Sequence, residues 1–175
     1  FIDLSDCKSS QTLTVFCLTS NPEDLALTPD GQSLIISQFG GIKPYEETLP
    51  GSLSIFDLST SSIKELPVSL GLNEWGDPSC DRKSDTFGPH GIDLNKRKNG
   101  SYQLSVINHY PTETIEMFEL IKNDQWSLLW KGCINIPKEY YLNDISLEPD
   151  GSFYSTHMYP RDISTIAWLN AALFK

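Results

Sequence analysis

Acidic, amide and imidazole side chains recur at one place in an internal repeat of this sequence. Each pair stands just ahead of a short apolar segment; the pairs are Glu23–Asp24, His90–Gly91 and Asn143–Asp144. If the repeat units pack around a common axis, equivalent positions become neighbours although they are far apart in the chain. Converging carboxylates repel one another unless a cation lies between them, and oxygen ligands favour calcium over zinc or copper. The alternative is that Asp24 and Asp144 only cap turns or bond backbone amides.

Two histidines have the chemistry of a general base. His90 lies in the turn sequence Gly-Pro-His-Gly at the entry to a predicted strand, and His109 ends the neighbouring strand of the same unit. The two imidazoles could therefore touch. Such a pair beside a metal ion suits proton transfer from water near neutral pH. Taken singly, each is more often a half-buried structural histidine.

The repeat that would position these side chains has the pattern D-[LI]-x-L-x-P-D-G. It occurs at 24–31 and 144–151, and a related element with a longer approach to its Asn-Gly turn runs over 90–100. Each copy is followed by strand-like segments, including outer strands near 63–68 and 126–133. Four short strands in a repeated unit are typical of propeller blades. A β-sandwich also has many short strands, but it does not explain why the turn recurs in register.

The sequence therefore predicts an all-β chain that forms about three blades of a β-propeller and ends in a short helix. One partial propeller domain is expected over 1–175, with blade-like units near 21–70, 88–135 and 141–159. Because three blades do not close a ring, the other blades are expected on a missing segment or a second chain, the alternative being a truncated paralogue that has lost activity.

The expected C-terminal helix lies near 163–174, where Ile163, Ile166, Ala167 and Phe174 are compatible with one apolar side. This helix either packs on its own domain or lies over the site, as a lid or as an element that faces a partner, a membrane or a lipoprotein.

Charge and cysteine spacing argue against several function classes. A formal net charge of -10 opposes binding to nucleic acid or anionic lipid. Cys7, Cys17, Cys80 and Cys133 lack the spacing of a zinc site. Cys7 and Cys17 are equally compatible with a disulfide and with two buried thiols. The chain also lacks a G-x-S-x-G elbow, an H-E-x-x-H motif and a Walker loop.

Several short motifs, in order, resemble the paraoxonase or serum arylesterase family. They are Asn21–Leu25 (NPEDL), Gly88–Ile92 (GPHGI), Val106–His109 (VINH), Thr114–Phe118 (TIEMF) and Leu142–Ile145 (LNDI). The combination covers the chain from about Asn21 to Tyr159 and is far more specific than any one motif. Gluconolactonases share the general plan but resemble these motifs less closely.

The resemblance implies a six-bladed propeller with two calcium ions in its channel, one catalytic and one structural. It also implies hydrolysis of lactones, aryl esters and some phosphotriesters, so the expected partner is a small ester or lactone. His90 would be the general base and His109 its partner. Together with the non-methionine first residue, the resemblance favours a secreted or periplasmic protein.

By the same resemblance, Glu23 and Asn143 would bind the catalytic calcium ion. Asp24, Asp144 and the backbone carbonyl of Ile92 would bind the structural ion. The remaining ligands of the catalytic ion would lie in later blades, so the isolated chain is expected to hold an incomplete catalytic site. The alternatives are a non-catalytic, calcium-stabilised propeller that serves as a binding or scaffold module, and a gluconolactonase-like lactonase.

Overall fold

The computed structural model describes residues 7–40, 49–82 and 86–173. Its first sheet is an antiparallel meander whose strands follow one another in space as they do in the chain. These strands are β1 (Pro22–Leu27), β2 (Ser33–Gln38), β3 (Ser52–Asp57) and β4 (Ser62–Glu65).

A short strand, β5 (Val68–Leu70), leaves the first sheet and joins the outer edge of the second. The second sheet is again a meander, with β5 added parallel to its last strand. Its own strands are β6 (Pro89–Lys96), β7 (Tyr102–Asn108), β8 (Thr114–Lys122) and β9 (Trp126–Asn135). A third, two-stranded antiparallel sheet follows, and then a helix; these elements are β10 (Tyr140–Leu147), β11 (Phe153–Pro160) and α1 (Thr165–Leu173).

The repeated turn has the same hydrogen bonding in all three copies. The amide of its glycine donates to the carbonyl three residues earlier over 2.8–2.9 Å, and the glycine has a φ of 68°, 94° or 92°. Glycine adopts this left-handed conformation without steric cost. The turns are Thr28–Gly31, Arg97–Gly100 and Glu148–Gly151, which confirms the internal repeat.

The predicted outer strand near 63–68 is wrong in one respect, because the structure divides it between two sheets. The Leu66 amide donates to Leu53 of the first sheet, whereas the Pro67 carbonyl accepts from the Leu128 amide of the second. Pro67 has no amide hydrogen with which to continue the ladder. The chain therefore crosses between the sheets at this residue.

The hydrophobic core lies between successive sheets. Ile35 and Leu53 of the first sheet pack with Leu104 and Phe118 of the second. The other face of the second sheet packs on the third through a separate cluster that contains Ile107, Ile115, Leu142 and Ile145. Burying each such side chain contributes about 1.5–3 kcal/mol. The three sheets thus stack face to face in chain order, with the second in the middle.

Both cysteine pairs of the chain form disulfides, Cys7 with Cys17 and Cys80 with Cys133. For Cys7 and Cys17 the sequence left open a disulfide or two buried thiols, and the structure has the disulfide. The second fastens the segment before residue 83 to strand β9. Disulfides of this kind persist in oxidising compartments.

The all-β class and the short terminal helix are confirmed. The predicted helix near 163–174 corresponds to α1, and Phe174 lies outside the described residues. Three apolar side chains of α1 are exposed, those of Ile166, Leu169 and Leu173. The predicted contact of this helix with a membrane or lipoprotein stays a prediction. No helix in the described ranges is long and apolar enough to cross a membrane. The described strands form open sheets, and the six-bladed ring and the blade boundaries also stay predictions.

Candidate functional site

Side chains at the beginnings of three strands, one from each sheet, come together. The Ile92 amide of β6 donates to Asp24 Oδ2 of β1 over 2.7 Å. On the other side of β6, His90 Nδ1 lies 2.8 Å from the Asn143 carbonyl of β10. The first strand of the second sheet therefore contacts the first strand of each neighbouring sheet, as the repeat predicted.

Asp24 and Asp144 occupy equivalent places in the first and third sheets. Each carboxylate accepts from the amide of the next residue, Leu25 over 2.7 Å and Ile145 over 2.8 Å. Each backbone amide donates to a hydroxyl on the neighbouring strand, Asp24 to Ser37 and Asp144 to Thr156. The backbone-bonding role proposed as the alternative is therefore present. A carboxylate offers about four lone-pair sites, so these bonds leave room for a cation.

Gly91 makes the close approach of β6 and β10 possible. A Cβ at this position would lie 2.4 Å from the Asn143 carbonyl oxygen and 2.7 Å from Asp144 Oδ1. Both distances are far below an ordinary contact, so only a residue without a side chain fits between the two strands. Gly91 thereby sets the separation between His90 and the Asn143–Asp144 pair.

The predicted ligands supply carboxylate, carboxamide and carbonyl oxygens. Calcium accepts this mixture, so the chemistry of the donor set fits it. Within the described ranges, no group of three or more His, Cys, Asp or Glu side chains is placed to hold a metal ion. Asn143 and the Ile92 carbonyl would therefore have to contribute alongside Glu23, Asp24 and Asp144.

His90 lies between two oxygen atoms of different kinds, one on each ring nitrogen's side. A carbonyl only accepts hydrogen bonds, so the contact with Asn143 requires a proton on His90 Nδ1. His90 Nε2 then points towards the Glu23 carboxylate, with 3.5 Å between Nε2 and Oε2. The ring also packs edge-on against Phe39. His90 thus has a fixed tautomer when neutral, with its Nε2 beside a predicted calcium ligand.

His109 lies directly behind His90 and has no exposed side-chain surface. Their ring centroids are 5.2 Å apart, which confirms the expected contact. Tyr141 stacks on the other side of His109 at 4.1 Å. The contacts of the described residues include no hydrogen bond between the two imidazoles, and His109 Nε2 is buried without a partner. A direct proton relay between the rings is therefore not formed in this arrangement.

Burial lowers the pKa of His109, against the opposing effect of the Glu113 carboxylate, which raises it. Glu113 was not predicted from the sequence. It lies 2.8 and 2.9 Å from His109 Nδ1 through its two oxygens. The sequence shows only that a carboxylate follows His109 by four residues. It does not reveal the path of the loop between them.

Asn108 fixes the path of that loop. Its Oδ1 accepts from the amides of Gly88 and Tyr110, and its Nδ2 donates to the Thr112 carbonyl and the Thr114 hydroxyl. The Tyr110–Pro111 peptide within the loop is cis. Two of these four bonds lie inside the loop and two join it to Gly88 and Thr114, so Asn108 directs the loop back towards β7 and Glu113 lies against His109.

The arylesterase family model matches residues 4–167. A serum paraoxonase/arylesterase 2 from Gallus gallus is 28% identical over 145 residues, 80% of this chain and 38% of that protein. A serum paraoxonase/lactonase 3 from Homo sapiens is 27% identical over 144 residues, 79% of this chain and 38% of that protein. The chain thus spans well under half the length of these relatives. The family model covers nearly all of its sequence, and the chain belongs to the arylesterase family.

Proposed function

We propose that the full-length protein is a calcium-dependent hydrolase of lactones and aryl esters. One observation carries this proposal: the first strands of three successive sheets bring Glu23, Asp24, His90, Asn143 and Asp144 together at one place. An oxygen-rich cluster beside an oriented imidazole is what metal-assisted hydrolysis requires. The relatives named as arylesterase and lactonase support the same substrate classes.

A six-bladed propeller is the fold that this proposal requires. The stacking of successive meander sheets, each entered through a strand beside the site, supports it. We expect the remaining blades from the part of the full-length protein outside these 175 residues. They would also complete the site, whose ligands in this chain come from three sheets only.

Two groups of residues would hold calcium. Glu23 and Asn143 would hold the ion next to His90, and Asp24, Asp144 and the Ile92 carbonyl would hold a second ion with a structural role. When bound, calcium supplies a Lewis acid that polarises the ester carbonyl and stabilises the developing oxyanion.

His90 would act as the general base through Nε2. Its Nδ1 proton is committed to the Asn143 carbonyl, so Nε2 is the nitrogen with a lone pair when the ring is neutral. Water gives one proton to Nε2 while its oxygen bonds to the carbonyl carbon. The bond to the leaving alkoxide then breaks, and the alkoxide takes up that proton. General-base catalysis of this kind contributes about 10²–10⁴-fold to a rate.

We also propose that the protein works in a secreted or periplasmic setting. Two disulfides in the described part of the chain are stable in an oxidising compartment. The relatives carry the word serum in their names.

The experiment uses the full-length protein with a lactone and an aryl ester as substrates. We expect calcium chelation to abolish turnover of both, and His90→Gln to lower kcat by about 10²–10⁴-fold. His157→Gln is the matched control, because His157 is exposed on β11 and, among the aromatic side chains of the described residues, its ring contacts only that of Tyr140. Turnover that survives both chelation and His90→Gln would refute the proposal.

The second candidate is a non-catalytic module that calcium merely stabilises. The amide bonds of Asp24 and Asp144 favour it, because these carboxylates already have a structural role. This candidate predicts a calcium-dependent melting temperature without turnover. A lactonase rate that disappears in His90→Gln would exclude it.

A further inference from the structure

Glu113 is a buried carboxylate that the proposed reaction does not yet use. Its side chain is only 2% exposed, and it contacts three separate segments of the chain. It accepts from the Leu142 amide of β10 over 3.1 Å, pairs with Arg161 after β11, and contacts His109 at the end of β7. Burying a carboxylate costs several kcal/mol unless these partners compensate for the lost water.

The contact between Glu113 and His109 fixes where the imidazole proton resides. An ionised carboxylate only accepts, so His109 Nδ1 must donate to it. Because burial disfavours the charged ring, the second nitrogen, Nε2, is left with a lone pair. That atom is buried and has no hydrogen-bond partner among the described residues.

Arg161 and the Leu142 amide both donate to Glu113, so each of its carboxylate oxygens already accepts a hydrogen bond. The guanidinium Nη1 pairs with Glu113 Oε2, and the guanidinium lies over the Tyr141 ring at 5.5 Å. Tyr141 in turn stacks on His109. The imidazole is therefore held in its plane by Tyr141 and in its tautomer by Glu113.

We propose that Glu113 is a positioning residue that holds His109 as the Nδ1–H tautomer, so that His109 Nε2 is a proton-accepting atom buried beside His90. The role of Glu113 in turnover rests on the proposed hydrolase function. Its effect on the His109 tautomer is independent of that function. Glu113 acts through His109 and contacts none of the reacting atoms. Its role matches the carboxylate that orients a catalytic histidine in other hydrolases.

The first test is nitrogen-15 NMR of the histidine rings in the full-length protein, with His109 assigned by the loss of its signals in His109→Gln. We expect a protonated Nδ1 and an unprotonated Nε2 at neutral pH in the wild-type protein. A proton on Nε2 of wild-type His109 would overturn the proposal, whether or not the protein hydrolyses any ester.

The second test compares substitutions of Glu113. Glu113→Gln should give a mixture of His109 tautomers and lower kcat by about 10–100-fold with little change in KM. Glu113→Asp keeps the carboxylate, so it should recover part of the preference for the Nδ1–H tautomer and part of the lost kcat. The control is Glu119→Gln, the same change on β8 at a position paired with Gln103 and Leu129. A Glu113→Gln protein that is less stable but keeps the tautomer and kcat would show a structural role only and refute the inference.

Discussion

Replacing Gly91 by Ala tests whether the separation of β6 and β10 governs the site. The φ of Gly91 lies outside the left-handed region, so alanine is compatible with its backbone. The new Cβ would nevertheless meet the Asn143 carbonyl oxygen at 2.4 Å and the Asp144 Cα at 2.6 Å. Ordinary van der Waals separation requires the strands to move apart by about 1 Å.

Two consequences follow from that displacement. Overpacking of this size lowers the free energy of unfolding by about 1–3 kcal/mol. A misplacement of about 1 Å between catalytic groups reduces a rate by about 10²-fold. We therefore expect Gly91→Ala to lose about 10²-fold in kcat/KM for a lactone and to bind calcium more weakly, in addition to its loss of stability.

Gly71→Ala is the matched control for this substitution. Its Cβ would lie 2.5 Å from the Trp130 carbonyl oxygen, a clash of the same size at the outer edge of the second sheet. We expect a similar loss of stability in urea denaturation, with kcat/KM close to wild type. Equal kcat/KM for the Gly91→Ala and Gly71→Ala proteins would refute the claim that Gly91 sets the geometry of the site.

Two further predictions concern the fold around the site. The Cys80–Cys133 disulfide joins residues 53 apart. Replacing both cysteines by serine should lower the free energy of unfolding by about 4 kcal/mol. A loss below about 1 kcal/mol in urea denaturation would contradict this prediction. Burial lowers the pKa of His109 from 6.5, so the unfolded state binds more protons than the folded state as the pH falls below that value. The free energy of unfolding should therefore decrease as the pH is lowered from about 7.5 to about 5.5. The dependence of this free energy on pH should be weaker in His109→Gln. An unchanged pH dependence in that variant would argue against a buried neutral imidazole.

The repeated turn could be predicted from the sequence because its conformation depends on local residues. A Pro-Asp-Gly or Asn-Gly segment favours the left-handed glycine conformation through its own residues. Its recurrence therefore located the first antiparallel strand of each sheet, and with it the Glu23–Asp24, His90 and Asn143–Asp144 positions. The contact between His90 and His109 followed from adjacent strands of one unit.

The environment of His109 could not be predicted in the same way. Glu113 reaches the ring only because the Asn108 side chain organises the intervening loop, and Arg161 reaches Glu113 from a different sheet. Tyr141 stacks on the ring from that same sheet. Such contacts depend on how sheets pack, and a single sequence carries no local signal for them. The split outer strand at Pro67 also depends on the neighbouring sheet, whose edge accepts β5.

The most direct test of the account is to crystallise the full-length protein with calcium and locate the ion by anomalous scattering. We expect an ion next to His90, with the Glu23 carboxylate and the Asn143 side chain among its ligands. Calcium found only away from the starts of β1, β6 and β10, or no calcium bound in the crystal, would contradict it.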